Sequence, residues 1–111
     1  MIESIENTII KNLIRNEDYT RKVLPFLKPD YFDKTTEKII FEESAKFIIE
    51  YDKCPTVEIL SIECEKRKDI NDDTYKEILT YLKDTSETEF TVDDWLIDTT
   101  EKWCKERAIY L

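Results

Sequence analysis

The stretch that decides the fold is TEKIIFEESAKFIIEY, residues 36–51. Its apolar residues recur at helical spacing but spread over more than one face of the helix: Ile39, Ile40, Phe41, Ala45, Phe47, Ile48, Ile49 and Tyr51. Such breadth is typical of a helix that neighbours cover on several sides. The segment is therefore predicted to be the central, most buried helix of the domain.

The residues before this helix also follow a helical period. One apolar stripe predicts a first helix, formed by Ile2, Ile5, Ile9, Ile10, Leu13 and Ile14. We expect this helix to end at Asn16 in a left-handed cap, a geometry that asparagine tolerates. A second helix is expected to end or kink at Pro25, because proline lacks the backbone donor that a helix needs. Pro29 then opens a short turn that presents Tyr31 and Phe32.

The residues after the central helix predict three more helices. Thr56 and Asn71 are good N-cap residues, each placed just before an apolar stripe. The polar segment 84–89 is predicted to be a loop, and residues 93–111 a last helix that we expect to continue past Leu111. Phe41, Phe47, Tyr75 and Trp95 are expected in the core. The fold class is thus all-α, a compact bundle of about six helices.

The composition excludes several kinds of site. The chain has no glycine, so it lacks the residue that phosphate-cradling loops and tight hairpins depend on. It also has no histidine, the commonest metal ligand and the side chain best suited to proton transfer at neutral pH. Neighbouring side chains point about 100° apart on a helix, so the adjacent acidic pairs 42–43, 72–73 and 93–94 do not converge on a metal. The latter two pairs lie near predicted helix starts, and capping or surface roles suit the pairs better than metal binding. We therefore expect no catalytic, cofactor-binding or metal-binding residue in this chain.

The cysteines and the N-terminus indicate the compartment. Cys54, Cys64 and Cys104 form no C-x-x-C pair, which argues against zinc and favours reduced thiols. The first residues lack the basic start and apolar run of a signal peptide, and no stretch is apolar enough for a membrane span. A cytoplasmic location without membrane association is expected.

The net charge of −9 is unevenly distributed. Residues 69–101 hold eleven acidic side chains against Lys76 and Lys83, which accounts for the whole net charge. Because DNA affinity needs clustered Lys and Arg, direct DNA binding is disfavoured. The acidic stretch is either a solvated surface or a face for a basic partner. Its candidate partner-facing residues are Asp84, Glu87, Glu89, Asp93 and Asp94.

The last helix supplies the candidate interface residues. Leu96, Trp103 and Tyr110 repeat every seven residues, and the helical pattern is still running at Leu111. Some packing partners of this helix are therefore expected in another chain. The interface candidates are Trp103, Arg107, Ile109 and Tyr110. For Trp103 and Tyr110, the alternative is core packing within the domain.

Read in order, four segments resemble the N-terminal domain of DnaB-type hexameric replicative DNA helicases, especially those of T-even-like bacteriophages. Residues 6–14 are similar to the family's opening helix. Residues 27–32, followed by Ile39-Ile40-Phe41, are similar to its acidic-aromatic-aromatic turn before the long helix. Residues 55–60 resemble the start of its fourth helix, and residues 100–108 the entry to the helical hairpin that joins this domain to the motor.

The resemblance implies a globular helical domain over residues 1–92 and the start of the hairpin or linker helix over residues 93–111. It implies an assembly role in a collar above the ATPase motors, with primase and helicase loader docking there. The partners are then other copies of the chain, as a hexamer in the full-length protein and a possible dimer for this part. ATP and magnesium are expected only in a C-terminal motor of an ATP-dependent DNA helicase.

Two other classes stay open. A free-standing acidic helical adaptor or DNA mimic would bind a basic replication or host protein through the 69–101 charge. A helicase-binding primase domain of related helical fold would instead have zinc-binding and polymerase domains upstream.

Overall fold

The chain folds into helices joined by short turns. The computed structural model describes residues 4–86 and 93–110. The α-helices within these ranges are α1 (Ile5–Arg15), α2 (Glu17–Val23), α3 (Thr35–Tyr51), α4 (Val57–Glu65), α5 (Asp72–Ser86) and α6 (Asp93–Tyr110). Single 3₁₀ turns occupy Leu24–Phe26 and Pro29–Tyr31, and neither described range contains a strand. The predicted all-α class of about six helices is confirmed.

The central position of α3 is also confirmed, although the helix is not covered on every side. It packs against α1, α4, α5 and the Pro29–Tyr31 turn, and it buries Ile39, Ile40, Phe41 and Ile48. Ile49 and Tyr51 are 79% and 57% exposed, so the breadth of the apolar pattern overstated the burial. Ile49 follows Glu42 by seven residues, nearly two full turns, and so lies on the same solvent-facing side.

Side-chain caps start the helices where the sequence predicts them. Thr56 Oγ1 accepts a hydrogen bond from the Ile59 N–H at 3.1 Å, and Asn71 Oδ1 accepts one from the Thr74 N–H at 2.8 Å. These bonds satisfy amide donors that the first turn of a helix leaves without an intrahelical partner. Both predicted caps are confirmed.

Asn16 does not adopt the left-handed geometry that we expected. Its φ and ψ are −115° and 96°, because this one residue ends α1 and also caps α2. Its side chain accepts a hydrogen bond from the Tyr19 N–H at 3.2 Å. Among the described residues, the left-handed geometry occurs instead at Asp52, at φ 56°, where α3 ends. Aspartate is among the few non-glycine residues that visit this region.

Two further predicted boundaries are the helix end at Pro25 and the loop at residues 84–89. The helix before Pro25 ends at Val23 and passes into the 3₁₀ turn that contains the proline, as predicted. The loop predicted over 84–89 begins too early, since α5 continues to Ser86. The rest of that loop lies outside the described residues, and so does Thr91, the expected cap of the last helix.

The last helix belongs to the same core as the others. It buries Leu96, Trp103 and Cys104, and the Tyr19 hydroxyl of α2 lies 2.7 Å from the buried Thr100 Oγ1. The Cα radius of gyration is 13.3 Å, close to the ~13 Å expected for a compact chain of this length. A division of the chain at residue 92 stays a prediction. Among the described helices, none has the length and apolarity to cross a bilayer.

Candidate interaction surfaces

The C-terminal half of α6 is fixed by an aromatic cluster around Trp103. The indole lies 5.2 Å from the Phe32 ring and meets the Tyr31 ring edge-on at 6.1 Å, measured between ring centroids. Its Nε1–H donates to Glu6 Oε1 of α1 at 3.2 Å. Only 7% of Trp103 is exposed. Trp103 therefore packs within the domain, which was the alternative to an interface role, and a contact of its exposed edge with a second chain stays a prediction.

Arg107, another predicted interface residue, closes this cluster from outside. Its guanidinium lies 5.4 Å from the centroid of the Trp103 ring and donates to Glu6 Oε1 and Asp33 Oδ2, each at 3.1 Å. Partial desolvation lowers the pKa of Arg107, but the bonds to both carboxylates outweigh that effect and raise it overall. Arg107 therefore ties α6 to α1 and to the turn before α3. Because its side chain stays 30% exposed, it lies at the edge of the surface.

The remaining interface candidates lie at the end of α6. Ile109 is 78% exposed, one of the most exposed large apolar side chains in the described part of the chain. The Tyr110 side chain lies outside the described residues. A role for either residue in self-association stays a prediction, and for Ile109 the structure leaves the side chain accessible.

The predicted acidic surface can be placed only in part. Asp94 is exposed at the start of α6. Asp84 is exposed near the end of α5 and borders a surface depression that also contains Lys34, Lys76 and Glu77, so the local charge there is mixed. Glu87, Glu89 and the side chain of Asp93 lie outside the described residues. Whether these carboxylates form one face stays a prediction.

The thiols are poor nucleophiles at neutral pH. Burial raises the pKa of Cys64 and of Cys104 to about 11, and it raises the pKa of Cys54 as well. Since the thiolate is the reactive form, all three remain mainly protonated. Across residues 4–86 and 93–110, no three Cys, Asp or Glu side chains gather in a metal-binding arrangement.

One surface beside α3 was not predicted from the sequence. A groove of about 910 Å³ is bordered by exposed Ile49 and by Arg67, which follows α4. Glu42, Lys46 and Glu50 recur every four residues on α3, and this spacing was the available signal for a solvent-facing side. Trp95, expected in the core, is also 54% exposed.

Arg67 fixes one edge of this groove. Its guanidinium donates to both carboxylate oxygens of Asp69, at 2.9 and 2.7 Å, and lies 3.5 Å from Glu42 and 3.7 Å from Glu43. The hydrogen bond to Asp69 is the largest cause of a raised Arg67 pKa. The arginine therefore stays charged, and its charge is already matched by carboxylates of its own chain.

Comparison with known proteins relates the chain to a replicative helicase. No family model matches the chain, and no solved structure matches it. The chain is 27% identical over 105 residues to a DnaB-like replicative helicase of Enterobacteria phage T4. That alignment covers 92% of this chain but 21% of the helicase, so the chain spans about a fifth of its relative's length. The alignment shows a distant similarity to a part of this helicase, and assignment to the N-terminal domain stays a prediction.

Proposed function

We propose that this chain is the collar domain of a ring-shaped replicative DNA helicase, where it assembles subunits and docks partner proteins. The observation that carries the proposal is the similarity to a DnaB-like replicative helicase over 92% of the chain. The four segments that resemble the N-terminal domain of such helicases occur in the expected order across residues 6–108. In this proposal the ATPase motor follows as a separate, C-terminal domain.

The surface of the domain supports a role in contact. Apolar Ile109 is exposed at the end of α6, where the resemblance expects the entry to the hairpin. Exposed apolar side chains at the end of a rigid helix can pack against the same element of a neighbouring subunit. Trp103 and Arg107 support this contact indirectly, because their hydrogen bonds to Glu6 hold the C-terminal half of α6 against α1.

The mechanism is geometric. Collar contacts between subunits set the symmetry in which the motors below them are held. A partner that contacts the collar differently in two ring states shifts the balance between those states by the difference in its affinities. Primase and helicase loader are the proposed partners. ATP, magnesium and DNA are assigned to the motor domain.

The test has two parts. The reading frame is expected to continue past Leu111 into an ATPase domain that contains a G-x-x-x-x-G-K-[ST] motif. In that full-length protein, deletion of residues 1–111 is expected to weaken the hexamer, measured as molar mass by light scattering over a dilution series. A motor that assembles equally well without these residues would contradict the assembly role.

A second candidate is a free-standing acidic adaptor that binds a basic protein. The concentration of the net charge in residues 69–101 favours it. Exposed acidic side chains should then attract the partner in a salt-sensitive way. Two results together would favour this candidate. The reading frame would contain no motor domain, and a pull-down of loader or primase by this chain would be lost when the salt concentration is raised.

A further inference from the structure

The groove beside α3 has an apolar interior. Two of the residues that line it, Leu27 and Phe41, are at most 7% exposed, whereas Ile49 is 79% exposed. Six apolar residues line it in all: Leu24, Leu27, Pro29, Phe41, Ala45 and Ile49. A large isoleucine side chain left in water beside an apolar depression is unfavourable in the isolated chain. The same arrangement favours binding of another apolar side chain.

The rim of the groove carries negative charge. Glu42 and Glu50 of α3 and Asp69 are exposed at its edge, against exposed Lys46. Arg67 is paired with Asp69 and Glu42, and buried Glu43 also faces its guanidinium. The lining as a whole holds these three carboxylates and Glu50 against Arg67 and Lys46, four negative groups against two positive ones, which leaves a net charge of −2. An incoming ligand therefore meets apolar side chains inside and an excess of carboxylates at the edge.

The acidic residues of the rim that belong to α3 are spaced over the length of about two helical turns. Glu42 and Glu50 are eight residues apart on α3, which corresponds to about 12 Å along the helix axis. This distance equals roughly two turns of a partner helix laid along α3. A helix that binds in a groove presents apolar residues at i, i+3, i+4 and i+7 and polar residues on either side of that stripe.

We propose that this groove binds a basic amphipathic helix of a partner protein, with apolar residues against Ile49, Leu27 and Phe41 and Lys or Arg residues facing Glu42 and Glu50. The inference rests on the proposed docking role and assigns a surface and a partner class to it. A second copy of this chain is a poor occupant, because its net charge of −9 would be brought against an acidic rim. The groove is distinct from the end of α6, to which we assign self-association.

The test uses the whole chain and a synthetic probe. The probe is a fluorescein-labelled amphipathic helix of leucine, alanine and lysine, and fluorescence anisotropy measures its binding. A matched peptide replaces every lysine with glutamate on the same apolar pattern. The lysine peptide is expected to bind and the glutamate peptide to bind at least about tenfold more weakly, since it would face like charge.

Two isoleucines with nearly equal exposure provide the matched variants. Ile49→Ser is expected to weaken binding of the lysine peptide about tenfold, because it removes a large apolar contact from the groove. Ile109→Ser, at a site that is 78% exposed on α6, is expected to leave this binding unchanged. Glu50→Gln should weaken binding two- to threefold at low salt, whereas Glu58→Gln, an exposed carboxylate on α4, should not.

Four results would overturn the proposal: no binding of the lysine peptide, equal binding of the glutamate peptide, binding unaffected by Ile49→Ser, or an equal loss with Ile109→Ser. A loss of self-association with Ile49→Ser would also overturn it, because the groove would then hold a second copy. If the lysine peptide fails to bind, the light-scattering test of hexamer assembly with and without residues 1–111 still stands. Failure of assembly leaves a positive peptide result in place, so the two proposals are tested separately.

Discussion

Arg107 and Arg67 each tie the end of a segment to carboxylates elsewhere in the chain, yet they border different kinds of surface. Arg107 lies over Trp103, whose indole fills the space between α6, α1 and the aromatic turn before α3. Arg67 borders a groove in which no side chain of the described residues takes the corresponding place. The comparison shows that similar ion pairs can border a filled aromatic core in one region and an unfilled groove in another.

The largest expected effect tests the closed region. Trp103→Ala should lower the free energy of unfolding by about 3–5 kcal/mol, because it removes a large buried aromatic side chain. Trp95→Ala is the matched control on the same helix, since Trp95 is 54% exposed; it should change stability by no more than about 0.5 kcal/mol. Urea denaturation followed by circular dichroism measures both. Equal losses would mean that Trp103 is not the core residue of α6.

The two arginines can be compared directly. Arg67→Met should cost about 1–3 kcal/mol, since it leaves the carboxylate of Glu43, a residue only 7% exposed, without the guanidinium that faces it. Arg107→Met should cost less, about 0.5–1 kcal/mol, because Glu6 keeps its hydrogen bond from the Trp103 indole. Chemical denaturation of both variants under one set of conditions gives the order. The reverse order would show that the α6 clamp contributes more than the groove edge.

A smaller effect is expected at the contact between α2 and α6. Tyr19→Phe removes the hydroxyl that lies 2.7 Å from Thr100 Oγ1 in the core. We expect a loss of about 1 kcal/mol, the net value of a typical buried hydrogen bond. Thermal and urea unfolding check this value. No change in either would mean that the bond adds nothing to the docking of α6.

The smallest effect concerns pH. Burial raises the pKa of Glu37, although the Tyr81 hydroxyl that donates to its carboxylate at 2.8 Å opposes the shift. The folded state therefore holds this proton more tightly than the unfolded state. Stability should fall as the pH rises from the ordinary glutamate range through the raised folded pKa. Glu37→Gln keeps an acceptor for Tyr81 and should remove that slope in urea denaturation at a series of pH values; an unchanged slope would contradict the assignment.

Local features of the structure could be predicted from the sequence. Thr56, Asn71 and Pro25 act on the backbone within a few residues of themselves, so their caps and breaks follow from residue type and position. The buried face of α1 could be predicted from its helical period alone. The residues that the period places on that face are indeed buried: Ile9, Ile10, Leu13 and Ile14.

Other features depended on contacts that spacing does not contain. Trp95 and Trp103 are both aromatic residues of α6, but Trp103 shares a face with buried Leu96, whereas Trp95 lies about 100° away from it around the helix. The heptad repeat was visible in the sequence, yet the identity of the partners was not. The groove is harder still to predict from the sequence, because it is formed by the 3₁₀ turns, one side of α3 and the segment after α4. These parts are separated along the chain, and no local pattern shows that they pack side by side.

The central claim is that the end of α6 holds subunits of a ring together. The molar mass of the proposed full-length helicase tests this claim most directly. Ile109→Ser and Ile49→Ser are compared by light scattering at equal concentrations, over a dilution series that dissociates the wild-type ring. The account predicts that Ile109→Ser shifts dissociation to higher protein concentration, while Ile49→Ser matches the wild type. Rings that resist dilution equally in all three proteins would contradict a collar contact at the end of α6.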